Sequence, residues 1–416
     1  MQAIVWFRQD LRVYDNTALY AACEQWYAVI PVFVFDPSII RQDDPRVGFL
    51  VDVLSHLSQA LSNKLHIYYG DPTQIIPQLA AQYDAPVFAN RSYGRGVARD
   101  QIISESTDLR LYDDFLLVEP WDVPARKVYS AYYRFRAQQP KRQPISREIT
   151  LSDVDVHRID TAILKPWVST WAPEYDFDRD IRWYADTRNI PGIDGSTKLS
   201  PYIRHGIVSI RQVYEYALPS ETLIKELARR EFWQHIAHYF PDCIELEFIT
   251  KRRNLSWSTN HDHIQARKDG LTWYPIVDAA MRQLKSENRM HNRSRLIVAS
   301  FLTKDLLIDR RVGEKHFDEY LLDYDRNVNT WNRQRSASVW ADPKPIRIFS
   351  PLLQSLRFDP QATYIKKYIP ELSHYPSAML HDPLKYSLDY AHIIVDHRLQ
   401  IAKAKAMYYE HHDIDG

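Results

Sequence analysis

Glycine is scarce in this chain. Only 10 of the 416 residues are glycine, whereas average usage near 7% would give about 29. Two cysteines, Cys23 and Cys243, are too few for a disulfide framework or for a four-cysteine zinc or iron–sulfur site. We therefore expect two buried thiols in a reducing compartment, and no metal site. No run of about 18 apolar residues occurs, which argues against a membrane span.

Neither positive nor negative charge is in excess in this chain. The 53 basic and 53 acidic residues cancel, so composition gives no indication of nucleic-acid binding. A DNA-binding surface would have to come from local clusters such as Lys251–Arg253. The N-terminus begins with a strand-like segment and has no basic region, long apolar run or cleavage site. We therefore expect no secretory signal, a cytoplasmic protein and, by default, a monomer.

The pattern of apolar residues predicts two kinds of architecture. In residues 1–125, short apolar runs alternate with helical patterns, which is typical of a doubly wound α/β domain with a parallel sheet. Residues 126–190 are polar, contain proline and are predicted to be a connector. Helical periodicity dominates residues 191–416, which predicts an all-α domain. The predicted strands are Ala3–Phe7, Ala28–Phe35, Leu65–Tyr69 and Pro86–Ala89, and the clearest amphipathic helices are Val277–Leu284 and Leu296–Leu307.

Three segments have both a structural and a functional interpretation. Trp6–Arg12 follows the first strand, where doubly wound sheets bind ligands, but a strand-to-helix turn with an Arg–Asp pair explains it equally. Asp194–Pro201 offers hydroxyls and free N–H groups that suit a phosphate, whereas a plain N-cap at Ser200 is the simpler interpretation. Glu226 and Arg230 are spaced as neighbours on a helix and, taken alone, predict a surface ion pair worth about 0.5 kcal/mol.

Two later motifs are more specific. Met290–Asp305 opens with an Asn-Arg-x-Arg cluster ahead of an apolar helix, for which packing alone gives little reason. Asp323–Asn329 combines acidic residues with asparagines, and Arg347–Pro351 follows. In this order and spacing, all these segments together resemble the DNA photolyase/cryptochrome family, from about residue 2 to residue 390. The resemblance is greatest to the short class I cyclobutane pyrimidine dimer photolyases.

The resemblance implies a flavoenzyme that repairs UV-damaged DNA. The helical domain would hold a U-shaped FAD beneath a hole that the flipped-out dimer enters. The α/β domain can hold an antenna chromophore, which the sequence does not identify as a folate or a deazaflavin. By resemblance, Glu226 hydrogen-bonds the damaged pyrimidines, and Arg295, paired with Asp323, lies beside the flavin ring. Asn329 approaches the flavin N5 atom, where a hydrogen bond can stabilise the reduced flavin.

The remaining site residues are also assigned by resemblance. The implied catalytic residues are Glu226, Asn292 and Asn329. The implied cofactor-binding residues are Tyr184, Ser196, Thr197, Lys198, Leu199, Ser200, Arg230, Arg295, Asp323, Asp325 and Asn329. The implied DNA-binding residues are Arg229, Arg230, Asn292, Arg293 and Arg335.

Arginine stands at seven positions where the family has aromatic residues. The family's electron-transfer tryptophans correspond to Arg267, Arg310 and Arg333, and its dimer-binding tryptophans correspond to Arg229 and Arg335. Two further aromatic positions correspond to Arg136 and Arg289. A guanidinium cannot relay an electron hole as an indole does, and a buried, unpaired one costs several kcal/mol. Seven such residues in one core would exceed the stability of a typical domain.

A parallel exchange places tryptophan at Trp273, Trp331 and Trp340, where the family has glycine. This sequence thus has arginine where the family has tryptophan, and tryptophan where the family has glycine. Our hypothesis is that the gene was translated with the wrong genetic code: UGA codons meaning glycine were read as tryptophan, and CGA or CGG codons meaning tryptophan were read as arginine. This also explains the glycine deficit. The rival hypothesis is real divergence, with Arg229 and Arg335 contacting phosphates.

Three functions follow from these hypotheses. The first is a light-driven dimer photolyase, which the retained Glu226, Asn292, Arg293 and Asn329 favour. The second is a cryptochrome-like photoreceptor, which would normally carry a C-terminal extension, and little sequence follows the helical domain here. The third is a degenerate flavin- or DNA-binding homologue that has lost repair. Cyclobutane dimers are preferred over 6-4 photoproducts by resemblance alone.

Overall fold

The computed structural model describes residues 1–25, 27–41, 44, 46–160, 164, 169–340, 345–382, 385–386, 388 and 390–410. The chain divides into two compact units. The first contains Met1–Arg179 and Lys198–Tyr239, and the second contains Asp180–Thr197 and Phe240–Gly416. The domain boundaries near residues 125 and 190 stay a prediction.

A five-stranded parallel sheet in the order β3-β2-β1-β4-β5 forms the centre of the first unit. Its strands are β1 (Gln2–Phe7), β2 (Ala28–Phe35), β3 (His66–Tyr69), β4 (Val87–Asn90) and β5 (Leu109–Tyr112). β1 and β2 are almost continuously apolar because parallel sheets are covered on both faces. The predicted fold class is confirmed. β5 was not predicted, because it is short, half-buried along its whole length and interrupted by Arg110.

Helices make up most of the rest of the described chain. In the first unit they are α1 (Thr17–Glu24), α2 (Arg46–Ala60), α3 (Pro72–Tyr83), α4 (Arg95–Ser104), α5 (Tyr129–Gln138), α7 (Ser200–Arg204), α8 (Ile210–Ala217) and α9 (Glu221–Tyr239). In the second unit they are α6 (Tyr184–Thr187), α10 (His261–Asp269), α11 (Pro275–Glu287), α12 (Asn292–Ser300), α13 (Arg310–Tyr320), α14 (Arg326–Ser336), α15 (Pro351–Phe358), α16 (Thr363–Tyr368), α17 (Ser377–His381) and α18 (His397–Glu410). Short 3-10 turns occur at Pro120–Asp122, Pro241–Ile244, Thr250–Arg252 and Pro370–Leu372.

The core of the second unit is built on the two predicted amphipathic helices. The apolar face of α11 packs with that of α12 in one buried cluster. The pattern over Leu296–Leu307 predicts one helix, but α12 ends at Ser300 and a π-helical turn, Phe301–Asp305, follows. The Thr303 hydroxyl donates to the carbonyl of Ala299 at 3.0 Å, and such side-chain bonds to the preceding turn perturb helices. None of the helices in the described ranges is long and apolar enough to cross a membrane.

A buried polar network follows the carboxyl ends of β1 and β5. Arg12 donates to Asp114 at 2.7 Å, and Arg211 donates to Asp114 at 2.7 Å and to Asp15 at 2.6 Å. All four side chains are at most 6% exposed. The segment Trp6–Arg12 thus ends in an Arg–Asp pair, as its simpler interpretation predicts. The partner, however, lies about 100 residues along the chain.

The network makes a prediction about acid stability. Burial raises the pKa of Asp114, but Arg12 and Arg211 outweigh burial and hold this pKa well below its usual range. A depressed folded-state pKa gives stabilisation that is present above the unfolded pKa near 4 and is lost as the pH falls below it. We expect this group to remove about 1 kcal/mol of unfolding free energy between pH 5.5 and pH 3. Urea unfolding at both pH values measures it, with Asp114→Asn as the control. Asp114→Asn should be less stable at pH 5.5, but between the two pH values it should lose about 1 kcal/mol less unfolding free energy than the unmodified protein. Equal losses would contradict the prediction.

Candidate active site

Helix α9 carries the predicted substrate-facing residues of the first unit. Its helical spacing is confirmed, with Trp233 buried and with Glu226 and Arg230 half-buried. Arg230 donates to the carbonyl of Phe115 at 3.1 Å, and its guanidinium lies 3.9 Å from that ring centre. The guanidinium of Arg229 lies 4.5 Å from the ring centre of Tyr129. Both arginines are therefore held by aromatic rings.

The predicted phosphate-binding turn has a different local structure from the one expected. Ser200 is the first residue of α7 rather than its N-cap, and Leu199 precedes it without a side-chain capping bond. Lys198 adopts a left-handed backbone with φ of +55°, which leaves no extended residue ahead of the helix to cap it. The N-cap interpretation is therefore wrong. Because α7 has only five residues, phosphate binding here stays a prediction.

An ion pair organises the predicted flavin side of the second unit. Nη2 of Arg295 lies 2.9 Å from Oδ1 and 2.8 Å from Oδ2 of Asp323. Nε of Arg295 donates to the carbonyl of Met290 at 2.9 Å, which fixes the guanidinium plane. The predicted pairing of Arg295 with Asp323 is confirmed. Arginine held in this way is a rigid donor for a polar ligand.

The start of α14 presents two further predicted residues. Asp325 is the N-cap, and its side chain accepts from the backbone N–H of Val328 at 3.1 Å. Asn329 lies one turn later, so the two side chains share a face of the helix. Nδ2 of Asn329 is buried and faces the hydroxyl of Tyr324. Because an amide nitrogen carries two N–H bonds, this group also has a donor that fits an acceptor atom of a flavin ring.

The start of α12 positions the predicted DNA-facing residues. Asn292 is exposed at the first helical position, and Arg293 donates to Oδ1 of Asn189 at 2.7 Å while its guanidinium lies 4.0 Å from the ring centre of Phe358. His291 caps the helix by accepting from the N–H of Arg293 at 3.2 Å. Burial, with the nearby arginines, lowers the pKa of His291 to about 3, so the ring is a neutral acceptor. No pattern in the sequence indicates this capping role, because histidine is not a usual N-cap.

The three predicted electron-transfer positions lie together. Arg267, Arg310 and Arg333 line one cavity of about 10 Å³. Arg333 donates to the carbonyl of Arg295 at 2.7 Å, and its guanidinium lies 4.9 Å from the ring centre of Phe317. No indole lines this cavity among the residues that the structure describes.

The expectation that seven arginines lack partners in one core is wrong. Arg310 pairs with Glu247 at 3.1 Å and also with Glu314, and Arg136 pairs with Glu231 at 2.8 Å. Three more of the seven arginines, Arg229, Arg289 and Arg335, are only half-buried. Carboxylates that sequence patterns did not connect to these positions therefore relieve much of the predicted cost.

Comparisons with known proteins agree with this arrangement. The family model described as the FAD binding domain of DNA photolyase matches residues 223–410, and the DNA photolyase model matches residues 3–148. The deoxyribodipyrimidine photo-lyase of Alkalihalophilus pseudofirmus is 35% identical, with 97% of each chain covered. This chain belongs to the DNA photolyase family. The photo-lyase of Synechococcus sp. is 34% identical, covering 97% of this chain and 96% of its own.

Solved structures of the DNA photolyase family have the same fold. An archaeal photolyase from Sulfolobus tokodaii, described with two FAD molecules, is 28% identical with a TM-score of 0.92, and the match covers 99% of this chain and 100% of that one. A class III photolyase from Agrobacterium tumefaciens is 30% identical with a TM-score of 0.91, covering 99% and 98%. A cryptochrome from Synechocystis, at 24% identity, shows the fold alone. The chain is therefore an FAD-binding photolyase-family enzyme, while the roles of individual site residues stay predictions.

Proposed function

We propose that this protein repairs cyclobutane pyrimidine dimers in DNA with light and reduced FAD. The observation that carries the proposal is the ion pair of Arg295 with Asp323, together with the buried amide donor of Asn329. Relatives named deoxyribodipyrimidine photo-lyase, similar over nearly the whole chain, support it. Bound reduced FAD would supply the light-driven electron.

The protein's own residues bind, orient and shield. Asp323 holds the Arg295 guanidinium in one plane, and Asn329 would offer its amide N–H to the flavin ring. Glu226 would accept from the pyrimidines, whose N–H and C=O edges become available once the dimer leaves the stack. Arg293 would neutralise a DNA phosphate, which makes binding weaken as the salt concentration rises.

Light-dependent repair of a defined oligonucleotide tests the proposal. The protein is loaded with FAD, chemically reduced without oxygen and mixed with an oligonucleotide containing one thymine dimer. We expect dimer loss under blue light and none in the dark, measured by chromatography of the oligonucleotide. Absence of repair by protein with reduced FAD bound would overturn the proposal and favour a homologue that binds flavin without repair.

Glu226 separates substrate binding from cofactor binding. We expect Glu226→Ala to slow repair about ten-fold, because one hydrogen bond to the dimer is lost, while the bound FAD spectrum is unchanged. The matched control is Glu221→Ala on the same helix, since Glu221 is exposed and pairs only with Lys225 at 2.6 Å among the described ion pairs. Equal slowing by both substitutions would contradict a specific role for Glu226.

The cavity lined by Arg267, Arg310 and Arg333 favours a second candidate function, a flavin-binding homologue without repair. A guanidinium is not oxidised as an indole is, so we expect light to reduce bound oxidised FAD poorly in this sequence. Under the first proposal, repair should nevertheless proceed when FAD is supplied already reduced, and its absence would favour the second candidate. Absorbance at 450 nm under blue light with an external reductant measures the first step. Efficient photoreduction would contradict our account of these three positions.

A further inference from the structure

The backbone ahead of α11 adopts a conformation that suits glycine. Trp273 has φ of +70°, in the left-handed region where a Cβ atom is crowded. Among the described non-glycine residues with positive φ, it has the widest angle and the largest side chain. Gly270, three residues earlier, has nearly the same φ, +66°. The backbone at position 273 therefore favours a residue without Cβ, whereas the sequence has tryptophan, the residue with the largest side chain.

Two buried arginines are charged side chains in surroundings that suit an uncharged one. Arg267 is 2% exposed and Arg333 is 4% exposed. Nε and Nη2 of Arg267 and Nε of Arg333 have no hydrogen-bond partner in the described part of the chain. Burial lowers the pKa of Arg267 to about 10, and burial together with Arg295 lowers that of Arg333 to about 9. Both groups therefore remain charged at neutral pH, so loss of a proton does not relieve the cost of burial.

A single water molecule does not resolve this mismatch. The cavity of about 10 Å³ beside the two residues has room for about one water. One water offers two acceptor lone pairs, whereas the three buried nitrogen atoms carry four N–H bonds that need acceptors. A neutral, flat side chain suits the apolar walls, which include Leu302 and Phe317.

Several other arginines in the described part of the chain bind carboxylates. Arg211 donates to one oxygen of each of two carboxylates, and Arg295 donates to both oxygens of one. Arg310, in the same cavity, binds Glu247 and Glu314. On structural grounds we therefore separate positions 267 and 333 from the arginines that the fold accommodates. An indole at 333 could also keep the hydrogen bond that Arg333 now donates to the carbonyl of Arg295.

We propose that the polypeptide made in the native cell carries glycine at position 273 and tryptophan at positions 267 and 333, because its gene is read with reassigned codons. The shortage of glycine in the sequence has the same cause. This inference does not rest on light-driven repair, since its structural support is backbone geometry and buried charge.

Tryptic peptides of the protein from its native source test the proposal. Arginine at 333 would make trypsin cut after that residue, whereas tryptophan would leave residues 327–333 joined to the segment that follows. We expect a peptide that begins at Asn327 and continues past position 333, with a mass that matches tryptophan at 333, and a second peptide with glycine at 273. Cleavage after 333, or tryptophan at 273, would overturn the proposal. The gene should carry UGA at 273 and CGA or CGG at 267 and 333. Positions 211 and 295 should have other arginine codons.

Stability of the recombinant protein is an independent measurement. We expect the triple variant Trp273→Gly, Arg267→Trp, Arg333→Trp to raise Tm by about 5 °C or more over the unmodified sequence. The control Arg311→Trp changes an exposed arginine that pairs with Asp309 at 2.7 Å, and it should not raise Tm. A triple variant with unchanged or lower Tm would overturn the assignment of these residues from burial and backbone.

Discussion

Replacing Arg211 with leucine is expected to remove about 3–5 kcal/mol from the free energy of unfolding. Arg211 donates from Nε to Asp15 at 2.6 Å and from Nη2 to Asp114 at 2.7 Å. Its Nη2 also donates to the backbone carbonyl of Asp15 at 2.8 Å. Leucine would fill part of the volume but would leave two buried carboxylates with one arginine, Arg12, to balance them. An uncompensated buried charge is among the few single changes with an effect of this size.

Urea unfolding at pH 7 measures the loss. The matched control is Arg311→Leu, which breaks an ion pair with Asp309 that is partly exposed, and there we expect less than about 1 kcal/mol. The variant Arg211→Lys tests geometry, because lysine keeps the charge but cannot bond both carboxylates in one plane. If Arg211→Leu is no more costly than Arg311→Leu, the network contributes little and our account of it is wrong.

This network also shows where prediction from the sequence ends. The apolar runs that became β1 and β2 specify a covered parallel sheet, because the pattern is local and the physical requirement is strict. The pairing of Arg211 with Asp114 is not local, since 97 residues separate the two side chains. Any of the 53 acidic residues could have been the partner of a given arginine. Burial decides among them, and burial is a property of the assembled fold.

The candidate site divides in the same way. The pairing of Arg295 with Asp323 was predicted through resemblance to a family, and no periodicity in the chain indicates it. The helical turn that places Asp325 and Asn329 on one face could be read from their spacing. The carboxylates that hold Arg310 could not, because Glu247 lies 63 residues away. Local patterns therefore predicted the elements, and the family resemblance predicted the contacts between them.

Buried arginines in this protein fall into two physical classes. Those with paired carboxylates, such as Arg211, stabilise the fold only as long as every partner remains. Others have no carboxylate partner among the described ion pairs, and of these Arg267 and Arg333 are charged groups in an apolar setting. Substitution should therefore have opposite signs in the two classes: leucine at 211 destabilises, whereas an aromatic residue at 267 or 333 stabilises. The contrast makes the buried-charge argument testable within one chain.

Asp323→Ala is expected to weaken FAD binding at least about 30-fold, and to reduce repair accordingly. The substitution leaves the Arg295 guanidinium, whose side chain is 19% exposed, without its bidentate partner. The remaining bond from Nε to the carbonyl of Met290 does not fix the position of the rest of the group. We discount the full cost of a broken buried pair to about 2 kcal/mol because this pair is partly exposed.

The ratio of flavin absorbance to protein absorbance after gel filtration measures retained FAD, and titration of the apoprotein gives the change in Kd. Asp323→Asn should bind FAD more weakly than the unmodified protein and more tightly than Asp323→Ala, since it keeps an acceptor for Arg295 but removes the charge. Asp309→Ala is the control, because Asp309 holds an arginine outside the candidate site and should leave FAD binding unchanged. A change in Tm would show separately whether the fold is affected. Full retention of FAD by a folded Asp323→Ala protein would remove the Arg295–Asp323 pair from the cofactor site, and with it the main support for the proposed function.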